Sequence, residues 1–298
     1  MATADSTLRI TTAPKLGNLA YILYFVAVGG MVVRIALLDE WSAASWGVLL
    51  LFVTTVSPDR VAHPSRRSLA AAALFFGALS AIVAYVPDLW FGIAYHLNHA
   101  EHYLWNANRF MASVPLNDGR FLAGLRSGRL LRFMQWIYLT GFDMVVWIPV
   151  VRSLAAFDAK KTARYALAAH VIQFPLIIPF YSAFRVDEVW SVLGDPDRCA
   201  RGWSDEVRLD LGANCFPSMH TSVAFAIMLL ARREKSRLFR TMMYFYGTSI
   251  IFSTMFLEIH WLIDVAGGLL LGAVAVKLAD PITDFLFDSP LLATREAG

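Results

Sequence analysis

Apolar residues along this chain gather into long runs separated by short polar stretches. Eight runs read as helices: 17–38, 41–57, 69–87, 131–155, 163–184, 217–231, 238–257 and 261–280. Several approach the roughly 20 residues an α-helix needs to cross a bilayer; the second and sixth are short. No internal repeat or low-complexity tract breaks the pattern. The pattern predicts an all-α fold, a polytopic bundle of membrane helices. Six helices form a core over 69–285. Region 1–68 adds two N-terminal spans, and 286–298 is a short cytoplasmic tail.

Composition supports the membrane reading over a soluble helical core. The 298 residues are 57% hydrophobic and only 16% charged, with mean hydropathy +0.53. Soluble domains carry about a quarter charged residues. Residues 1–12 are polar and mixed in charge, and the first apolar run continues to a spanning length, so the N-terminus does not read as a cleavable signal peptide. The net charge of +3 is small, and nucleic acid is not expected as a partner.

The distribution of charge predicts orientation. Loop 58–68 holds Arg60, Arg66 and Arg67. Loop 156–162 holds Lys160 and Lys161, flanked by Arg152 and Arg164. Loop 232–240 holds Arg232, Arg233, Lys235, Arg237 and Arg240. Lysine and arginine in short loops favour the cytoplasmic side. With eight spans these loops share a side, and both termini join them. The opposite side carries 88–130, 185–216 and the tight turn at 258–260. Segment 88–115 mixes aromatics with His96, His99, Glu101 and His102. It reads as an interfacial helix, whose histidines form a solvated face more readily than a metal site.

Two polar stretches carry candidate chemistry. "CFPSMHTS", Cys215–Ser222, opens the sixth run. Pro217 suits a first helical turn, whose free N–H groups attract anions. Ser218 adds a hydroxyl, and His220 adds an imidazole that exchanges protons near neutral pH. Alone, these residues also describe an ordinary cap. "STMFLEIHWLID", Ser253–Asp264, follows some forty residues on. His260 and Asp264, four apart, share one helix face. A carboxylate beside a membrane span usually has a partner. Asp264 accepting from one nitrogen of His260 would free the other as a nucleophile. Both stretches fall at the same, non-cytoplasmic end.

Together they resemble the type 2 phosphatidic acid phosphatase superfamily. Its second motif, Pro-Ser-Gly-His, reads Pro217-Ser218-Met219-His220 here. Its third, Ser-Arg, five residues, His, three residues, Asp, reads Ser253-Thr254, five residues, His260, three residues, Asp264. The first motif, Lys, six residues, Arg-Pro, is absent. Met219 for glycine and Thr254 for arginine are closest in form to the inositol phosphorylceramide synthase-like branch, which transfers a phospho-headgroup between lipids. The resemblance spans roughly 69–280.

The resemblance implies a membrane lipid phosphotransferase or phosphatase working through phosphohistidine, with headgroup transfer somewhat favoured over hydrolysis. His260 attacks phosphorus, Asp264 stabilises the imidazolium, and His220 moves the proton. Ser218, Ser253, Thr254 and Arg185 are phosphate-binding candidates. Arg185 is equally a boundary arginine with its head in the interface. Glu258 is a substrate contact or a solvated loop residue. Losing the motif arginine removes a bidentate phosphate ligand, which favours a singly charged phosphodiester or a diphosphate-linked lipid. No cofactor and no metal are expected. The partners are membrane lipids, in a plasma (inner) membrane location. Polar loop 185–216 reads as a cap over the pocket, and its Cys199 and Cys215 are expected to pair as a disulfide on an oxidising face. A transporter or structural membrane protein would explain the spans but not the paired histidine motifs. A metal-dependent hydrolase using His220, His260 and Asp264 as ligands would be marked by sensitivity to chelators.

Overall fold

The structure, a computed structural model, describes residues 18–99, 103–204, 207–208 and 212–288. Helix α1 (Asn18–Leu38) is followed by α2 (Ala43–Val53), which runs on as a 3-10 turn to Asp59, and by α3 (Arg66–His99). A two-residue strand β1 (Trp105–Asn106), a short α4 (Asn108–Ser113) and a 3-10 turn (Arg120–Leu125) lead to α5 (Gly128–Trp136). A π turn at Ile137–Gly141 joins α5 to α6 (Phe142–Ala155). A second, at Leu167–Val171, joins α7 (Ala159–Ala166) to α8 (Gln173–Ala183). Then come β2 (Phe184–Arg185), α9 (Val189–Leu193), α10 (Met219–Ala231), α11 (Arg237–Phe256) and α12 (Leu262–Asp288). The only sheet among the described residues is the parallel pair β1–β2, with Trp105 opposite Phe184.

This is an all-α bundle, and the eight expected runs each became a helix or a helix pair. Among the described residues, four continuous helical stretches are long and apolar enough to cross a membrane: Leu19–Leu38, Gly128–Ala155, Ala159–Ala183 and Leu262–Asp288. Ala43–Asp59 and Met219–Ala231 are shorter apolar helices. Large side chains such as Leu23, Val26, Leu37, Leu74, Phe245, Leu270 and Phe285 point outward. In water such a surface would aggregate; in lipid it is an ordinary boundary. The chain is an integral membrane protein.

The third run differs from expectation. Residues 88–99 do not form a separate interfacial helix but continue α3 without a break. Of the histidine group in that segment, His96 is exposed, Glu101 and His102 lie outside the described residues, and so does the side chain of His99.

The first two helices share the main apolar core with the others. Tyr24 donates to the Leu154 carbonyl at 2.9 Å, and Phe52 meets Phe239 and Tyr246 edge-on. Arg34 in α1 reaches the Ser80 hydroxyl of α3 at 3.3 Å.

The three basic loops meet at one end. Asp59 accepts from Arg152 and from the backbone N–H groups of Lys235 and Ser236. Glu234 takes Arg152, Lys161 and Tyr165. The Val61 N–H donates to the Ala156 carbonyl. Burial opposes ionisation of Asp59, but Arg152 and the two amides outweigh it and hold the carboxyl well below the usual range. At the same end Arg164 and Arg233 pair with Asp280 near the finish of α12. The starts of α10 and α12 therefore lie together at the opposite end of the bundle.

Candidate active site

The site is built from a turn and two helix starts. Helix α11 ends at Phe256, and Glu258 adopts a left-handed φ of 58°. The N–H groups of Ile259 and His260 fold back onto the Thr254 carbonyl, at 3.0 and 3.1 Å. This reverses the chain and starts α12 within a few residues. Asp264, the third helical residue, accepts the Trp261 N–H through Oδ2 at 2.9 Å, the back-reaching half of a capping box. Asn117, from the loop after α4, satisfies the next two donors. Its carbonyl takes the Leu262 N–H at 2.8 Å and its Oδ1 takes the Ile263 N–H at 3.0 Å. The first amides of α12 are thus occupied and not free for an anion.

Helix α10 starts beside it. Ser218 is the N-cap, its Oγ accepting the Thr221 N–H at 3.3 Å, which leaves its own O–H to donate. Pro217 lies one position outside the cap, not in the first turn as expected, because Ser218 occupies the capping position. The Ser218 N–H donates to the Asp264 carbonyl at 3.0 Å, tying the two starts together. Glycines permit the approach. A Cβ on Gly268 would sit 2.6 Å from the Ser218 carbonyl oxygen, and one on Gly272 would sit 2.4 Å from that of Ser222. Small residues at four-residue spacing let membrane helices meet backbone to backbone.

The reactive side chains converge on this junction. His260 Nδ1 lies 3.5 Å from Asp264 Oδ2. That is an ion-pair approach just short of a good hydrogen bond. Both residues are buried. The His220 and His260 ring centroids are 6.0 Å apart. His220 is held between two aromatic rings, stacked on Tyr138 at 4.3 Å and tilted on Phe142 at 4.0 Å. Tyr138 lies in the π turn between α5 and α6, a device that often marks functional positions. The two imidazoles thus lie close together at one junction, with Asp264 beside His260. Ser218, with a donor to offer, sits one residue before the helix that carries His220.

The surroundings correct several expectations. Glu258 is neither solvated nor open to substrate: it is fully buried, with Arg126 Nη1 at 2.8 Å and Arg198 Nε at 2.7 Å. Cys199 and Cys215 are free thiols, not a disulfide. Cys199 packs with Met134, Tyr138 and Trp190, and Cys215 packs with Met111, Val189 and Trp261, in two different apolar clusters. Burial pushes the Cys199 thiol up to about 12 and the Cys215 thiol well above its usual value, so both are protonated at neutral pH. The hydroxyls of Ser253 and Thr254 donate to Ile250 and Ile251 in their own helix. Arg185 is engaged by Asp187 at 3.2 Å.

Loop 185–216 does fold over the turn. The Trp190 N–H donates to the Glu258 carbonyl and the Val189 N–H to that of Ile259. Arg201 grips Glu188 through both terminal nitrogens and Asp197 through Nε, and stacks 3.7 Å over Trp203. Trp190 Nε1 also donates to Glu188. Burial opposes ionisation of Asp197, but Arg201 overrides it and keeps the carboxyl below its usual range. Sequence reasoning missed Asn117, Tyr138, Phe142 and the pair Arg126–Arg198. Each comes from an element distant in sequence and carries no local motif.

No curated protein and no solved structure matched the chain. Residues 187–284 match the model of the PAP2 superfamily; the matched stretch, about a third of the chain, holds both histidines and Asp264.

Proposed function

We propose that the protein transfers a phospho-headgroup from a membrane phospholipid to a lipid acceptor through a phosphohistidine on His260. The PAP2 superfamily comprises phosphatase and phosphotransferase-type enzymes, and the spans make this a membrane one. The single observation that carries the finer reading is the facing pair His220–His260 with Asp264 behind one ring.

In the first step the free nitrogen of His260 attacks phosphorus and the bond to the leaving oxygen breaks. His220 gives that oxygen its proton. Asp264 stabilises the imidazolium formed on His260. In the second step His220, now neutral, takes the proton of the acceptor hydroxyl. The acceptor oxygen then attacks phosphorus and His260 is released. The Ser218 hydroxyl stabilises a non-bridging oxygen, where fixed donors contribute most.

Charge balance supports a singly charged phosphodiester over a phosphomonoester. Arg126 and Arg198 share Glu258, Arg201 is matched by Glu188 and Asp197, and Arg185 by Asp187. Nearby cations are therefore largely compensated, and a dianion would meet little net positive charge. We place the site end on the non-cytoplasmic side of the plasma membrane, and both termini inside, from the basic loops at the other end.

The test is a panel of phospholipid donors and lipid-alcohol acceptors given to purified protein and to His260→Ala, following free phosphate and new phospholipid. A new phospholipid that depends on His260, without phosphate release, is the expected result. His260-dependent phosphate release would make the protein a phosphatase, and turnover that survives His260→Ala would end the proposal.

A further inference from the structure

The orienting side of His260, away from the attacking nitrogen, holds a second set of potential ligands. Cys215 Sγ, one atom of His260 and one carboxylate oxygen of Asp264 lie within 4.8 Å of one another, and all three residues are buried. Two of the atoms there are left over by the fold. Asp264 Oδ2 takes the Trp261 N–H and approaches His260 Nδ1 to 3.5 Å, short of hydrogen-bond geometry; Oδ1 has no hydrogen-bond partner among the described residues, and neither has Nδ1. Buried polar atoms without partners are uncommon and call for an explanation. The Cys215 thiol adds only long contacts, 3.7 Å to the Gly212 carbonyl and 3.9 Å to that of Ile259.

We infer that Cys215, His260 Nδ1 and Asp264 form a site for a thiophilic divalent ion of the zinc class, and that its occupation switches the enzyme off. One sulfur, one imidazole nitrogen and one carboxylate oxygen make a donor set of the type zinc takes in its tetrahedral sites. Zinc–ligand bonds of about 2.0 to 2.3 Å need only a modest contraction of the present cluster. The unpartnered Oδ1 and Nδ1 would gain the partner they lack. On binding, the thiol loses its proton to solvent and the ion takes the Nδ1 lone pair.

The consequence follows from imidazole chemistry and rests on the phosphohistidine reading above. A neutral imidazole has one lone pair and one N–H. Attack from the far nitrogen needs the proton on Nδ1, facing Asp264. A metal on Nδ1 moves the proton to Nε2 and removes the attacking lone pair. It also takes Asp264 away from its stabilising role. The ion is therefore an inhibitor and not a cofactor. It differs from a hydrolytic metal centre in that His220 is not among its ligands.

The test uses Co2+ as a spectroscopic stand-in and Zn2+ as inhibitor, on the full chain in detergent. Wild type should show a thiolate-to-cobalt charge-transfer band. Cys199→Ser and the catalytically impaired His220→Ala should keep it, whereas Cys215→Ser and Cys215→Ala should weaken binding at least about tenfold, the lower end for loss of a supporting group at a metal site. Zn2+ should inhibit turnover of wild type at concentrations that leave Cys215→Ser active. Folding of each variant is read from its thermal transition without metal. Absence of the band in folded wild type, its persistence in Cys215→Ser, or zinc binding without inhibition would overturn the inference. The cobalt spectrum needs no turnover, so failure of the phosphohistidine reading would leave it unchanged.

Discussion

At the level of single residues, neighbouring side chains should differ in what their removal costs. His220→Ala should lower kcat by about 10²- to 10⁴-fold, the usual range for a general acid–base. Asp264→Asn should keep the shape but lose the charge that orients His260, with a loss of about 10⁴-fold by analogy with other carboxylate–histidine pairs. Kinetics on the lipid that turns over checks both, and a near-normal rate in either variant would argue against the assignment. Tyr138→Phe should retain activity because the stacking ring remains, whereas Tyr138→Ala should lose it. Glu258 is a different case. Removing it leaves two arginines without their carboxylate, and Arg126 is nearly buried. Glu258→Ala should therefore cost about 3 kcal/mol, the lower end for breaking a buried pair, visible as a lowered Tm in detergent. A Tm unchanged from wild type would mean the pairs contribute nothing.

The His260–Asp264 pair was legible in the sequence from its spacing of four, although His260 lies in the turn two residues before α12 and only Asp264 is helical. Glu258 was not. A charged residue in a tight turn reads as solvated, and only Arg126 and Arg198, 132 and 60 positions away in the chain, bury it. Nor did the two cysteines declare their separation. Both lie in one polar segment, but they pack in two different apolar clusters, Cys199 with Ile259 and Cys215 with Trp261.

At the element scale, the site depends on how closely α10 and α12 approach. Gly272→Ala should push the helices apart, because its Cβ would meet the Ser222 carbonyl oxygen at 2.4 Å. The expected outcome is a marked loss of activity with a lowered Tm, while Gly92→Ala, in open space on α3, should leave both unchanged. Asn117→Ala removes the side-chain cap of α12 and should cost about 1 kcal/mol, with kcat falling as the His260 turn loosens; hydrogen exchange at Leu262 and Ile263 reads this directly. The loop cap brings a pH dependence. Asp197 ionises below its ordinary 3.8 in the folded chain. Its contribution is therefore complete above that value and lost as pH falls through the lower, folded one. Exchange protection across 195–204 should hold at neutral pH and fade only in strong acid. Fading near pH 6 would contradict the pairing with Arg201.

Element boundaries were readable wherever hydropathy changes sharply, as at Ser236 before α11. They were not readable at the end of α3. There the aromatic, histidine-bearing segment after 87 has an interfacial composition, yet the helix continues to His99. The two π turns have no sequence signal. The first of them carries Tyr138, which stacks on His220.

At the scale of the whole molecule, charge and chemistry are sorted to opposite ends of one bundle. Arg152, Lys161, Asp59 and Glu234 lock the basic loops together at one end, and the histidines sit at the other. The eightfold helical pattern and the grouping of the basic loops were both legible from hydropathy and charge. That α1 and α2 pack into the common core was not, since neither carries a motif that names its neighbours. Phe52 and Tyr24 bind them to α11 and α6, so deletion of residues 1–59 should lower Tm and yield, not simply trim an appendage.

A rapid acid-free quench during turnover of a donor lipid labelled at phosphorus would trap the covalent intermediate. Label is expected on His260, stable to base and labile to acid, present in wild type and absent in His260→Ala. Label on another residue, or turnover with no labelled protein in wild type, would contradict a phosphohistidine on His260.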